Sequence, residues 1–539
     1  MATRRAFLKT AGSAAVAAGF AALSRAPHVA AAGWNSGAVA HLIPAASHER
    51  FLIKASLVSA ASDPPQLRVN NRLVSGAPTD SGGFFWQFDV TDLSPATGYT
   101  LQIVDANGKP LCDPWPLSTF PAPTAGADRL RILAYTCGGG YDRLKLGDKT
   151  LFLDMAARRR LLARALSFAP DVVISNGDMI YWDIATALNK GKPLADLAHA
   201  AWRMFGMLDF DRPMLGGDNE AILKRIADYQ IADLYGVSLR STPSFFVTDD
   251  HDLFENDEGT PQLLTLPPVR GRVEAERAVQ HMYYPEFLPD TNRPSLLEGS
   301  SAPDRAPGLS EGFGTLRYGT LLETVFYDTK RYVSLNGDDA GMVPKRAEQW
   351  LLARTMAEDT THFIHAPSTP FGWSAGKFGE WYPDMARADG RLGTETPKPY
   401  WPSGWWLQHQ RLISAISAQK RRVPLALQGD LHVVGYGIMH RSGDLDLEAN
   451  PVHLALTGPL GTGDIGFPSA YRGTRAQPSS LLKMEELMPP VEKNGFTIVD
   501  VNKDRIVLHL FAWRPPDPVE SIDTLEPAFT YELRTRYPE

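Results

Sequence analysis

Residues 171–183, DVVISNGDMIYWD, decide how this chain is read. "DVVIS" is a short apolar run of the kind that forms a buried parallel strand, and it ends in Asn176-Gly177-Asp178 with Tyr181 three residues beyond the aspartate. In open α/β sheets, ligands bind outside the carboxyl ends of the strands. Asp178 therefore stands where a functional carboxylate is expected, although an Asp after a strand is as commonly a turn former or a helix cap.

Other strand-like runs end in the same way. "RLRILAYTC" closes on Cys137, "PSFFVTDDHD" on Asp249, Asp250, His251 and Asp252, and "VPLALQGDLH" on Asp430 and His432. "THFIHAPS" adds His365, the weakest of these candidates, because a histidine satisfied by its surroundings fits the same pattern. Strand ends of one sheet converge on one edge, so these segments would crowd several carboxylates together. Like charges held that closely stay ionised only beside a counter-ion of high charge, and a metal supplies it. Carboxylate oxygens, an imidazole, a phenolate and a thiolate suit iron, manganese, zinc or calcium, and the mixture of hard oxygens with one thiolate points toward more than one ion.

Helical patterns separate these runs. "TLFLDMAARRRLLARALSFA", "AILKRIADYQIADLY", "PKRAEQWLLARTMAE" and "WWLQHQRLISAISAQ" read as amphipathic helices, and "GFTIVDVNKDRIVLHLFAW" as a hairpin. The alternation predicts an α/β catalytic domain over 128–539. Ahead of it, 37–121 shows short alternating runs between Pro, Gly, Asn and Asp turns, which predicts a small all-β sandwich of fibronectin or immunoglobulin type.

The first 32 residues join a twin arginine, Arg4-Arg5, to a short Ala- and Gly-rich apolar run and a small-residue cleavage site, the pattern of a twin-arginine export signal. That predicts a periplasmic or secreted protein which meets the twin-arginine translocation machinery during export. No run is long and apolar enough to read as a stable membrane span. Without residues 1–32 the formal charge of −7 becomes −11, which argues against nucleic acid as a general partner. Two cysteines in a chain of 539 residues exclude a disulfide framework, while one bridge between Cys112 and Cys137 stays open.

Other features carry less. Gly138-Gly139-Gly140 has no Lys-Ser/Thr in phosphate-loop spacing. Trp373, Trp381, Trp401, Trp405 and Trp406 could line a pocket for an aromatic leaving group, but core packing explains them more simply. Arg143 and Lys145 lie near the Cys137 loop in sequence, yet spacing alone does not single them out as phosphate clamps.

The motifs together resemble the PhoD-like alkaline phosphatases of the calcineurin-like metallophosphatase superfamily. "NGDMIYW" is similar to the Gly-Asp-x-x-Tyr motif, "VTDDHD" to Asp-Asp-His-Glu, and "LQGDLHVVGYG" to the Gly-Asp-x-His block, while "YTCGGG" stands where that family has Ser-Cys. The resemblance implies an α/β sandwich after a small β-sandwich domain. It also implies an exported phosphoester hydrolase that uses ferric iron and calcium, with in-line attack by metal-bound hydroxide. It assigns Asp178 as a bridging carboxylate, Tyr181 and Cys137 as ligands to iron, and Asp249 or Asp250 or both, with Asp430 and His432, as ligands to a second ion. His251 would protonate the leaving alcohol or orient the phosphate. Asp252 in place of the family's Glu, and CGGG in place of Ser-Cys-Gln, put the substrate pocket and the iron's surroundings in doubt. Two other readings remain open on sequence: a phosphodiesterase or phospholipase with the same machinery, and a periplasmic binding protein that has lost activity.

Overall fold

Apolar alternation sorts the strand residues onto two faces. The computed structural model, which describes residues 33–182 and 192–535, shows what each face meets. The expected export segment at 1–32 lies outside the described residues.

Three strands, β1 (Arg129–Tyr135), β2 (Val172–Asn176) and β3 (Ser244–Val247), are followed by β4 (Phe313–Tyr318), β5 (Leu322–Tyr327) and β6 (His362–Pro367). Then come β7 (Leu425–Gln428), β8 (Val434–Ser442) and β9 (Val452–Thr457), and finally β10 (Asn494–Asn502), β11 (Arg505–Trp513) and β12 (Phe529–Arg534). One sheet has the order β3-β2-β1-β10-β11-β12, with β1, β2 and β3 parallel. The other runs β4-β5-β6-β7-β9-β8, parallel from β5 to β9, and Leu482–Val491 adds itself to β8. The expected hairpin is β10–β11, with Asn502 opposite Arg505 across Lys503-Asp504.

Ile132, Ala134, Ile174 and Val247 of the first sheet share one core with Ile364, Ala366, Leu425 and Leu427 of the second, so the two sheets pack face to face. The odd-numbered partners Leu133, Tyr135 and Val173 turn the other way. They pack against α1 (Met155–Leu166), α2 (Asp218–Ala227) and α3 (Arg270–Tyr283). Val325, Tyr327 and Phe363 likewise meet α4 (Lys345–Met356) and α5 (Ser403–Ser417) on the far side of the second sheet. The result is a helix–sheet–sheet–helix sandwich, and each buried Ile or Leu contributes about 1.5–3 kcal/mol to holding it. The mixed α/β class expected from the sequence is the one observed.

Residues 39–118 form two four-stranded antiparallel sheets. Their apolar residues, among them Phe51, Phe88, Leu101 and Trp115, belong to the same continuous core as the two large sheets. Trp373, Trp381 and Trp405 are fully buried in the core beneath α4 and α5, with Trp401 and Trp406 packed against it, so core packing accounts for the tryptophan cluster. Cys112 and Cys137 are both buried and both free thiols. Among the described residues no helix is long and apolar enough to cross a membrane.

Candidate metal centre

Cys137, Asp178, Asp249 and Asp430 each lie two residues beyond the last residue of a parallel strand, β1, β2, β3 and β7 respectively. The chain has left the ladder there but has not yet turned away, so all four side chains come together at the carboxyl edge where the two sheets face each other. Three of these residues hold left-handed backbone, Cys137 at φ +49°, Asp178 at +62° and Asp430 at +65°, and His432 follows at +53°. Such conformations are unfavourable for residues with a Cβ and persist only where the surroundings fix them, typically at functional sites.

The surroundings are explicit. Gly177, at φ +88°, lets β2 turn directly beneath β3: a Cβ built on it would sit 2.6 Å from Asp249 Cβ. The Gly177→Ala substitution is therefore expected to cost about 1–3 kcal/mol, from backbone strain together with the clash, and to push Asp178 and Asp249 apart. Chemical denaturation of the variant beside the parent protein measures the cost. The loop after β2 is held from below by Asp252, whose carboxylate accepts from the backbone N–H groups of Asp178 (2.8 Å), Met179 (2.8 Å), Ile180 (3.0 Å) and Asp249 (3.0 Å). Gln230 Oε1 joins this loop to the Cys137 loop by accepting from Tyr181 N at 2.7 Å and Gly140 N at 2.6 Å. Arg158 of α1, wholly buried, donates to the carbonyls of Gly138, Gly139 and Gly140. The glycine run is thus a loop clamped by an arginine.

On this frame the donors fall into overlapping sets. Cys137, Asp178 and His432 each present an atom within 4.8 Å of the others. Cys137 Sγ lies 3.3 Å from Asp178 Oδ2, Tyr181 OH donates to the same oxygen at 2.8 Å, and that hydroxyl is 3.0 Å from His432 Nε2. His432 Nδ1 faces Gly466 O at 2.7 Å, a contact that requires a proton on Nδ1 and turns Nε2 toward Tyr181 and the site. A second set, Asp178, Asp250 and His251, shares Asp178 with the first, and a third, Asp249, Asp250 and Asp430, is made of oxygens only. Glu255 and Asp257 extend the acidic side through Asp250.

The electrostatics explain why this site needs cations. Burial, then the neighbouring Asp178 carboxylate, raises the Cys137 thiol well above the ordinary cysteine value, and the same two causes in the same order raise the Tyr181 phenol. Neither becomes an anion without a strong local positive charge, and a metal ion reverses that balance. Asp249 is also raised, by burial first; Lys330 opposes the shift while Asp250, Asp430 and Asp178 reinforce it. Asp178 Oδ1, both oxygens of Asp249, Asp250 Oδ1 and Asp430 Oδ2 are buried without a hydrogen-bond partner. Buried carboxylate oxygens without donors are costly unless they meet a cation, so thiol, phenol, imidazole and carboxylate fit a metal centre both in chemistry and in what they lack.

A cavity of about 80 Å³ opens onto the cluster, with Tyr181, His251, Lys377, Asp430, His432 and Arg472 in its wall. Its remaining lining includes the apolar Phe152, Leu197, Leu431 and Pro468. His251 packs on the Tyr181 ring, with centroids 4.1 Å apart, and lines the cavity beside it.

All the expected site residues but one meet here, with His432 grouped beside Cys137, Asp178 and Tyr181 rather than with Asp430 as the resemblance implied. His365 is placed elsewhere: it lies within β6 and shares the parity of Phe363, so it faces the helices, where its ring nitrogens meet Tyr327 OH at 3.3 Å and Thr355 Oγ1 at 3.1 Å. Burial lowers its pKa to about 3, which keeps it a neutral core histidine. Arg143 and Lys145 are solvent-exposed and do not line the cavity. Sequence reading did not find Lys330, Lys377, Asp257 or Arg472. These arise from loops with no periodic signal, and only the fold brings them to the site.

No protein-family model matches the chain, and no curated protein matches it. Its fold is similar to that of PhoD, with a TM-score of 0.59 at 12% identity over 93% of this chain and 91% of that one. It is also similar to the purple acid phosphatase PPD1 from yellow lupin (Lupinus luteus) seeds, with a TM-score of 0.52 at 12% identity over 93% of this chain and 75% of that one. The architecture is thus shared with PhoD and with this purple acid phosphatase.

Proposed function

We propose that this protein is an exported, metal-dependent phosphoester hydrolase of PhoD-like type, acting on small phosphate esters in the periplasm or outside the cell. The observation that carries the reading is the meeting of Cys137, Asp178, Tyr181 and His432, from separate segments, at the carboxyl edge of a metallophosphatase-like double sheet. The twin arginine at Arg4-Arg5 supports export. The reading calls for ferric iron in the thiolate set and for a second cation among Asp249, Asp250 and Asp430, for which the resemblance implies calcium. Bound ions would supply an activated water and neutralise the charge that develops on the phosphoryl oxygens.

The chain's own groups do the rest. Asp178 belongs to two donor sets at once and so suits a bridging role. His432 is oriented by Gly466 O, and Tyr181 by its bond to Asp178. His251, in the cavity wall beside Tyr181, is positioned to give a proton to the departing alcohol. The apolar part of the cavity wall would receive the alcohol side of the ester.

Elemental analysis of the purified protein, combined with hydrolysis of paired mono- and diesters before and after chelation, tests the reading. Bound iron and chelator-sensitive turnover are expected; a metal-free protein inert on every ester would overturn it in favour of a binding protein. The His251→Ala substitution should lower kcat about 10²-fold on an alkyl phosphate and much less on 4-nitrophenyl phosphate, whose leaving group needs no proton. Equal losses on both substrates would assign His251 to binding the phosphate.

A further inference from the structure

We infer that the ammonium group of Lys377 is the resident cation of the oxygen-only pocket and takes the place that the resemblance gives to calcium. This rests on the metal-centre reading above. Lys377 Nζ lies 2.5 Å from Asp430 Oδ1, 3.1 Å from Asp250 Oδ2 and 3.1 Å from Asp257 Oδ2, so three carboxylates, two from the segment after β3 and one from the end of β7, converge on one nitrogen. The ammonium group donates hydrogen bonds to Asp250 and Asp430 and forms an ion pair with Asp257. Two of the three partners, Asp250 and Asp430, belong to the Asp249, Asp250, Asp430 set. Lys377 takes Asp250 Oδ2 and Asp430 Oδ1, so a divalent ion held there would meet two carboxylates whose charge is already paired with an ammonium group.

Lys377 is not a surface lysine folded inward by chance. Its side chain is 4% exposed, as against 0% for Asp250 and 5% for Asp430. A second wholly buried lysine, Lys330, stands behind it: it pairs with Asp257, donates to Gly379 O at 2.8 Å and lies 3.9 Å from Asp249 Oδ1. The two ammonium groups therefore share Asp257 and reach Asp249, Asp250 and Asp430 between them. A buried carboxylate cluster needs countercharge from some source, and here the polypeptide supplies part of it. Lys377 also lines the cavity, so its charge is available to a phosphate oxygen of the substrate from the direction a calcium ion would face. The thiolate set contains no lysine, and its need for a metal is unchanged.

The test is calcium stoichiometry. The protein as isolated, with its iron retained, is dialysed against calcium chloride, and calcium and iron per chain are measured by elemental analysis. The parent protein is expected to hold iron and to retain no stoichiometric calcium. Lys377→Met, which frees Asp250 and Asp430, is expected to gain about one calcium per chain, and Lys377→Arg, which keeps the charge, to gain none. Adding Asp250→Asn to Lys377→Met should abolish the gain. If Lys377→Met does not fold, the parent and Lys377→Arg measurements still decide the matter. One or more tightly held calcium ions on the parent protein overturn the inference while the metal-centre reading stands. A parent protein with no metal of any kind overturns both.

Discussion

Asp178→Asn is expected to lower kcat/KM on phosphate esters by at least about 10³-fold, and the protein should be isolated with less than half of the parent's content of the metal proposed above to be iron. Asp178 is the one carboxylate shared by the thiolate set and by the Asp250–His251 set. It also accepts from Tyr181 and lies 3.3 Å from the Cys137 sulfur. The amide is isosteric, so the fold persists, but it carries no charge. If its nitrogen takes the Oδ2 position, it meets the Tyr181 hydroxyl with a donor. Loss of partners that only orient metal ligands already costs 10–100-fold in affinity or activity, and removing the shared ligand should exceed that range. Elemental analysis and steady-state kinetics on the same preparation check the result. Retention of both iron and full turnover would remove Asp178 from the centre.

Why Asp178 was legible and Lys377 was not is a matter of where each side chain leaves the backbone. A parallel strand buried on both faces announces itself as an unbroken apolar run, and the first polar residue after it lies at the sheet edge whatever the loop does next. Cys137, Asp178, Asp249 and Asp430 all sit two residues past such a run. His365 lies inside its strand, two residues before the last residue of β6, where alternation rather than strand end decides direction. Its apolar neighbours Ile364 and Ala366 face the first sheet, so His365 faces the helices. Lys330 and Lys377 lie on loops after β5 and β6 with no hydrophobic period to orient them. Nor does any local feature of the sequence mark a lysine as buried, because lysine is ordinarily exposed and only carboxylates placed around it make burial tolerable. Gln230 and Arg158 were hidden for the opposite reason: each is a polar residue in a stretch that reads as an ordinary amphipathic helix, although Gln230 in fact lies in the π-helical turn 228–232. Only the contact with the glycine loop shows what it does.

Asp252→Asn should be the most destabilising conservative change near the site, at about 2–6 kcal/mol, although Asp252 belongs to none of the donor sets. Its two oxygens each accept two backbone N–H groups, Oδ1 from Met179 and Ile180 and Oδ2 from Asp178 and Asp249. An asparagine has one acceptor oxygen, so whichever way its amide turns, two buried N–H groups face an NH₂ group, and each costs about 1–3 kcal/mol. Burial and the nearby Asp178 charge push the Asp252 pKa well up, and the N–H groups of Asp249, Ile180 and Asp178 oppose them. The isosteric amide keeps the volume and loses those opposing bonds. Because the same carboxylate ties the Asp178 loop to Asp249, the variant should bind iron more weakly with every donor atom of the centre intact. Urea unfolding of chelated protein gives the stability change free of metal linkage, and iron titration of the same samples gives the affinity. Asp252→Glu retains a carboxylate and should recover part of both. A variant as stable as the parent that still binds iron normally would mean that the Asp178 loop holds its left-handed turn without help from Asp252.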